Sequence, residues 1–444
     1  MLGTPRRAAF AGVFGATLVA FLAIGAVLPI LPRYVQGPLE GGDVAVGIVT
    51  GAFAFAAVLG RPVGGRLADR HGRKPIVLAG MVICTIAACL YYVPLGVAGI
   101  VFARLVLGLG DGWVYTASAT WIVDLAPEER RGQAIGLFGM AIWGGLALGP
   151  LFGELLLEIG SFEAVWAFAA ATPLVAAAIV TRLPEHRPSA PAPAAPAPTA
   201  PATPTALVAP APPPGGPSDD RHPATPIART SGEGGGRGQR SVLRRRPGWL
   251  PPGVLLPGSA LLLGNVGYAT FAGFVVLHLD REGIGHGAAA FVAFAAAVVV
   301  GRLFLGRIPD RYGPRPASLG AGALEATGLT LVAVAESAPV AFAGALIMGL
   351  GFSLLFPALA LIAISGQPPE RRGAVLGLFT AFFDIGVGVG GPLAGAVAAS
   401  SGYPEAFLIS AVCAVAAAGL GVLAGRGAAG SAPRTGAPPA PEPV

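Results

Sequence analysis

The sequence predicts an all-α membrane protein of twelve transmembrane helices in two six-helix bundles. Three observations carry that reading: an apolar composition, twelve hydrophobic stretches of spanning length, and an internal repeat. Of the 444 residues, 54% are hydrophobic and 12% charged, with a mean hydropathy of +0.70. A soluble domain carries about 25% charge, so a bilayer is the solvent this composition suits. The 67 glycines, many inside apolar runs, fit membrane helices, where small residues let backbones approach closely.

Apolar stretches fall at 8–31, 44–64, 76–94, 98–123, 133–157 and 164–182, and then at 252–277, 288–306, 317–335, 340–365, 374–399 and 405–425. Each approaches or exceeds the ~20 residues that cross a hydrocarbon core. The first follows Arg6 and Arg7 but ends in Pro-Arg rather than a small-residue cleavage site, so it reads as a retained helix and not a signal peptide. The domains expected are a first bundle over 1–182, a cytoplasmic linker over 183–250, a second bundle over 251–425 and a disordered cytoplasmic tail over 426–444. The linker is rich in Pro, Ala and Gly and cannot bury a core. Its Arg244, Arg245 and Arg246 stand where anionic headgroups would meet them.

The net charge of +6 comes from Arg, with Lys74 the single lysine. These cations sit in short loops between apolar segments rather than on one soluble face, which argues against nucleic-acid binding. Arg66, Arg70, Arg73 and Lys74, then Arg130 and Arg131, then Arg307, Arg311 and Arg315, then Arg371 and Arg372 occupy alternate loops. The opposite loops offer Arg33 and Arg281. The excess of arginine on one side predicts cytoplasmic termini. Cys84, Cys89 and Cys413 lie in apolar segments without a spacing motif, so neither a disulfide framework nor a metal site is expected. No cofactor is expected.

One offset relates distant loops. Asp69 in GGRLADRHGRKP corresponds to Asp310 in LGRIPDRYGPRP, 241 residues on. The same offset relates Gly60-Arg61 to Gly301-Arg302, Gly108-Leu109-Gly110 to Gly349-Leu350-Gly351, and Glu129-Arg130-Arg131-Gly132 to Glu370-Arg371-Arg372-Gly373. Two halves of one topology form a parallel repeat whose interface is the expected solute path.

At these residues the chain resembles the major facilitator superfamily, of the drug:proton antiporter type. The family's loop signature stands as Gly65, Leu67, Ala68, Asp69, Arg70, Gly72, Arg73 and Lys74. A second copy keeps Gly306, Asp310, Arg311, Gly313 and Arg315 and departs at Pro314 and Pro316. The resemblance implies a conformational latch here, with Arg73 pairing with Asp124. Arg104, Gly108 and Gly110 resemble the family's fourth-helix motif, whose arginine is associated with proton coupling; Asp111 stands where a small residue is usual. Gly136, Gly145, Gly149, Pro150 and Gly153 match the family's antiporter motif, with Glu154 where a final glycine is usual. Gly377, Gly386, Gly390, Gly391, Pro392 and Gly395 form a similar pattern, so a generic packing face is the competing reading.

Arg104, Gly108, Asp111, Tyr115 and Ser118 share one helical face, a polar stripe that should border an aqueous cavity. Asp384 is a third candidate for proton coupling beside Arg104 and Asp111, since ionisable groups within membranes are expensive and usually functional. For Glu325 a structural role is favoured. Candidate cavity residues are Trp113, Tyr115, Trp143, Asn265, Tyr268 and Phe383, and the sparse charge suits a hydrophobic or weakly cationic solute better than a multiply charged anion. The expectation is a proton-coupled, monomeric exporter of small drug-like or metabolite molecules in a bacterial inner membrane. The alternatives are an importer with the same fold and a transport-inactive receptor or scaffold. A membrane enzyme is a weaker reading, since no nucleophile–base pair or metal cluster appears.

Overall fold

The computed structural model describes residues 4–127, 130–184 and 253–430, and every regular element among them is an α-helix. The first half contains α1 (Thr4–Val27), α2 (Ile30–Gln36), α3 (Asp43–His71), α4 (Arg73–Leu90), α5 (Gly96–Leu125), α6 (Arg131–Ile159) and α7 (Phe162–Thr181). The second contains α8 (Leu255–Arg281), α9 (Gly287–Phe304), α10 (Ile308–Tyr312), α11 (Pro314–Ala333), α12 (Ala338–Ile364), α13 (Pro369–Ser400) and α14 (Tyr403–Gly430). The linker, the Arg244–Arg246 cluster, Glu129 and the tail beyond Gly430 lie outside the described residues.

Among the described residues, eleven spans are long and apolar enough to cross a membrane, α1 and α2 together forming the first. The twelfth long helix, α11, carries Glu325 and several Gly and Thr residues that lower its hydropathy. Its 20 residues still rise about 30 Å, the thickness of a hydrocarbon core. Phe55, Leu59, Phe102, Phe304 and Val412 are exposed on the outside of the bundle, where lipid rather than water would meet them.

Two boundaries depart from the sequence reading for identifiable reasons. The signature segment from Gly65 to His71, read as loop, continues α3, and the turn is confined to Gly72 with φ +96°. A side chain would be strained there, so the position calls for glycine. In the second half the corresponding turn residue, Gly313, has φ +92°, but the helix breaks earlier. Pro309, which the repeat sets against Ala68, has no N–H to extend α9, so α9 stops at Phe304 and α10 restarts with Pro309 near its N-terminus.

Glycines set the helix spacing. Gly145, Gly149 and Gly153 of α6 lie against α1, where a Cβ on Gly149 would meet Ala26 N at 2.5 Å and Gly25 Cα at 2.6 Å. In the second half Gly386 and Gly390 of α13 lie against α8 at Leu262, Asn265 and Val266. Helix α13 presents another small face to α3 of the other half. A Cβ on Gly51 would meet Gly388 O at 2.5 Å and Pro392 Cδ at 2.9 Å, and one on Gly395 would meet Asp43 O at 2.5 Å. The two halves meet along α3–α13 and α6–α9, with smaller contacts of α8 to α2 and α3.

Gly136 and Gly149 belong to one motif but differ in surroundings, since nothing lies within 4 Å of a Cβ at Gly136. Gly149→Ala should therefore lower stability by about 1–3 kcal/mol through overpacking. Gly136→Ala should leave it unchanged or raise it by up to about 1 kcal/mol through helix propensity. Thermal unfolding of the purified protein in detergent reads both, and equal shifts would refute the packing account.

Candidate functional site

The helices end alternately on two faces. One carries both described chain ends, Gly72, Gly313 and the start of α6 and α13; the other carries α2 and the starts of α3 and α14. On this second face polar bonds tie the halves together. Arg33 of α2 donates from Nε to Asp280 Oδ2 of α8 at 3.1 Å and from Nη1 to Glu154 of α6 at 2.8 Å. Gln36 donates to Asp43 at 2.6 Å and to the Tyr403 hydroxyl at 3.0 Å, and that hydroxyl donates to Asp43 at 2.8 Å. The close α3–α13 approach at Gly51 and Gly395 continues this seal.

On the first face the signature residues are held within their own half. Arg73 donates from Nε to Asp124 at 3.1 Å, pairs through Nη1 with Asp69 at 3.0 Å, and bonds Ala68 O at 2.8 Å. Lys74 donates to Thr181 O and Leu183 O at 2.8 and 2.7 Å, capping the last carbonyls of α7. Gly65 lies beside Thr116 of α5, while Arg70, Asp310 and Arg311 are exposed.

Between the halves lies a cavity of about 150 Å³. Its wall is chiefly aromatic and aliphatic, contributed by α1, α3, α5, α6, α8, α9, α12 and α13, and it carries four charged groups: Arg61, Asp111, Arg302 and Asp384. Tyr115, Trp143, Tyr268 and Phe383 line it as the sequence suggested. Trp143 and Tyr268 meet across the halves with centroids 5.8 Å apart. Trp113 and Asn265 do not line it. The Trp113 ring packs on Gly64 of α3, 2.8 Å from where its Cβ would stand, and Asn265 bonds Leu261 O at 2.7 Å while its Cβ faces Gly386. Both serve helix packing.

An ion pair joins the halves in the cavity wall. Arg61 of α3 donates from Nη2 to Asp384 Oδ1 of α13 at 2.9 Å, and its guanidinium stands 4.1 Å over the Tyr115 ring. Among the described residues, Asp384 Oδ2 and the other two Arg61 nitrogens have no hydrogen-bond partner. Sequence reasoning selected Asp384 but used Arg61 only as a marker of the repeat, and Arg302 likewise. The available signal was that repeat itself: its Gly-Arg pair at 60–61 falls inside α3, and the matching pair at 301–302 falls at the end of α9.

Arg104 is fully buried, bonds Val49 O through Nε at 3.1 Å, and lies 4.6 Å over the Phe53 ring. It stands behind the cavity rather than in it. Asp111 borders the cavity in the field of both Arg61 and Arg104. The polar stripe of α5 is therefore divided: Asp111 and Tyr115 reach the cavity, whereas Arg104 and Ser118 face neighbouring helices. Glu325 lies outside the cavity, with its oxygens against Gly264 and Gly267 of α8 and no hydrogen-bond partner.

Removing one partner of a buried pair leaves an uncompensated charge, at a cost of about 3–5 kcal/mol, whereas apolar replacement of both is often neutral. Asp384→Ala should therefore unfold at markedly lower temperature, and the double variant Arg61→Met, Asp384→Leu should recover most of the loss. A double variant no more stable than Asp384→Ala would contradict the pairing.

Comparison with known proteins follows the same lines. The chain is 29% identical over 411 residues to an uncharacterized MFS-type transporter of Salmonella typhimurium, covering 91% of this chain and 93% of that protein. It is 29% identical over 428 residues to another in Burkholderia mallei, covering 93% of each. Among solved structures, a bacterial homolog of the human lysosomal transporter Spinster superposes with a TM-score of 0.72 at 16% identity, over 96% of this chain and 98% of that one. The human organic anion transporter MFSD10 gives 0.63 at 18% identity, over 94% and 100%. These structures share the fold. The sequence profile of the Major Facilitator Superfamily matches residues 13–366 and 276–443, and this chain, with its two six-helix halves around a central cavity, belongs to that family of membrane transporters.

Proposed function

We propose that the chain is a proton-coupled exporter of small organic solutes, working as a monomer in a bacterial inner membrane by alternating access. The observation that carries this reading is the Arg61–Asp384 ion pair, which lies at once in the cavity wall and on the seam between the halves. A proton arriving at the free Oδ2 of Asp384 would neutralise the carboxylate and release Arg61, so protonation, cavity charge and the hold of α3 on α13 change together. Solute and proton then act as ligands with different affinities for the two states. Asp111 shares the field of Arg61 and transmits the change towards Arg104.

The arginine-rich loops around Gly72 and Gly313 support a cytoplasmic location for the face bearing the termini. On that orientation the outer face is sealed by Arg33, Gln36, Asp43 and Tyr403, and the cavity is reached from inside. The Arg73–Asp124 and Arg73–Asp69 pairs hold the signature turn ready to engage the second half when the inner side closes. Export rather than import rests on the match of Gly136, Gly145, Gly149, Pro150 and Gly153 to the antiporter motif.

Accumulation of a solute panel in cells with and without a protonophore tests the reading. An exporter lowers accumulation only while the gradient persists, an importer raises it, and a scaffold does neither. Asp384→Asn keeps an acceptor for Arg61 and should leave protein in the membrane while abolishing gradient-dependent export, and Asp111→Asn should do likewise. Normal efflux from both variants would remove these residues from the coupling assignment.

A further inference from the structure

We infer that the transported solute is an organic monoanion, a carboxylate on an apolar body, and that Arg302 is its recognition residue. This rests on the transport reading above and names the substrate class for that cavity.

The offset of 241 residues maps Arg61 to Arg302, Tyr115 to Phe356, Gly139 to Thr380, and Trp143 to Asp384, and all eight of these residues line the cavity. The wall therefore contains the same arrangement twice, related by the pseudo-symmetry of the halves. In one copy Arg61 stands over Tyr115 and reaches across the interface to Asp384 at 2.9 Å. In the other, Arg302 reaches across the interface to the equivalent position and meets Trp143, with its guanidinium carbon 5.9 Å from the ring centroid. The second copy has the cation and lacks the carboxylate.

Arg302 has no hydrogen-bonding or ion-pair partner among the described residues, and its Nε is fully buried. A Cβ on Gly139 would stand 2.5 Å from Nη1, so that glycine leaves the guanidinium its room. An indole face attracts a cation but cannot accept the paired N–H bonds that a guanidinium fork offers. The other charges are committed elsewhere: Asp384 to Arg61, and Asp111 to the field of Arg61 and Arg104. Three cations against two carboxylates leave one positive charge in and around the cavity, and Arg302 is the group without an opposing anion. A half-buried cation facing an apolar wall calls for compensation, and a planar carboxylate accepting two N–H bonds supplies it with the matching geometry. The remaining wall, including Phe21, Phe138, Tyr268 and Phe383, suits an aromatic or aliphatic body. The sparse charge of the sequence suited a hydrophobic or weakly cationic solute better than a multiply charged anion; a monoanion with an apolar body keeps the hydrophobic part of that expectation and departs from the cationic part, because what counts is which charges are left unpaired.

The test is equilibrium binding to the purified protein in detergent, with no gradient imposed, using three probes of one shape: 1-naphthoate, 1-naphthamide and 1-naphthylmethylammonium. Wild type should prefer the carboxylate over the amide and reject the ammonium. Arg302→Gln should weaken naphthoate by about tenfold to a hundredfold, the range for a charge-assisted bond, and leave the amide unchanged. Trp143→Asp restores the missing carboxylate and should abolish the naphthoate preference by supplying Arg302 with an internal partner; it serves also if Arg302→Gln does not fold. Absence of naphthoate binding by folded wild type, or a carboxylate-to-amide ratio that survives both variants, overturns the proposal. A protein that binds naphthoate through Arg302 but moves no solute in cells would sink the transport reading and leave the site standing. Gradient-dependent efflux without any carboxylate preference would do the opposite.

Discussion

A charged pair inside a membrane bundle is the constraint around which this molecule is arranged. Asp384 is buried and Arg61 is largely covered, and each alone would be costly there. The close packing of α3 on α13 through Gly47, Gly51, Gly388, Gly391 and Gly395 is what lets a side chain from one half reach its partner on the other. The glycine seam and the ion pair thus depend on one another. Larger residues would hold the helices apart and leave both charges unmet, and without the pair the seam would have packing but no chemical state to respond to. Neither group has its hydrogen-bonding capacity filled among the described residues, which leaves each able to take a further partner.

Much of the scaffold was legible because membrane helices announce themselves by length and hydropathy, and because duplication fixes the register. The apolar stretches fall within a few residues of most helix ends, and the single offset of 241 held from the loop turns to the cavity wall. What escaped was governed by local chemistry that hydropathy does not see. Pro309 splits the connection after α9, where the corresponding residues of α3 run on as continuous helix. The signature was read as loop because it is charged, yet charged residues continue a helix well enough once it leaves the apolar slab, and Gly72 marks the true turn.

The site was only partly legible, for reasons of helical phase. Trp113 and Tyr115 lie two residues apart, so they point to nearly opposite sides of α5; one had to be packing, and it is Trp113. Asn265 and Tyr268 are three apart and share a broad face, but that face spans both the cavity and the α8–α13 contact, which claims Asn265. The charged stripe on α5 looked like one surface because Arg104 and Asp111 differ by about two turns. Neighbouring α3 shields its first part, with Val49 and Phe53 covering Arg104. The resemblance to a family drew attention to Arg104 and away from Arg61 and Arg302, for which only the repeat spoke.

The asymmetry between the two copies gives the duplicated scaffold a direction of charge flow. On the proposed function, the copy with Asp384 holds a group for a proton, and the copy with Trp143 at that position leaves Arg302 to take an anion. One cavity would then hold a proton and an organic anion at separate places, coupled through the seam both border. For an exporter in a membrane negative inside, an anion leaving and a proton entering each move charge with the potential, worth about 2.3 kcal/mol per charge per 100 mV. A cation exchanged for one proton would forfeit that contribution, since the two charge movements would cancel. On the proposed function, a carboxylate at one of two equivalent positions and an indole at the other sets both what the cavity recognises and how strongly the membrane potential drives the exchange.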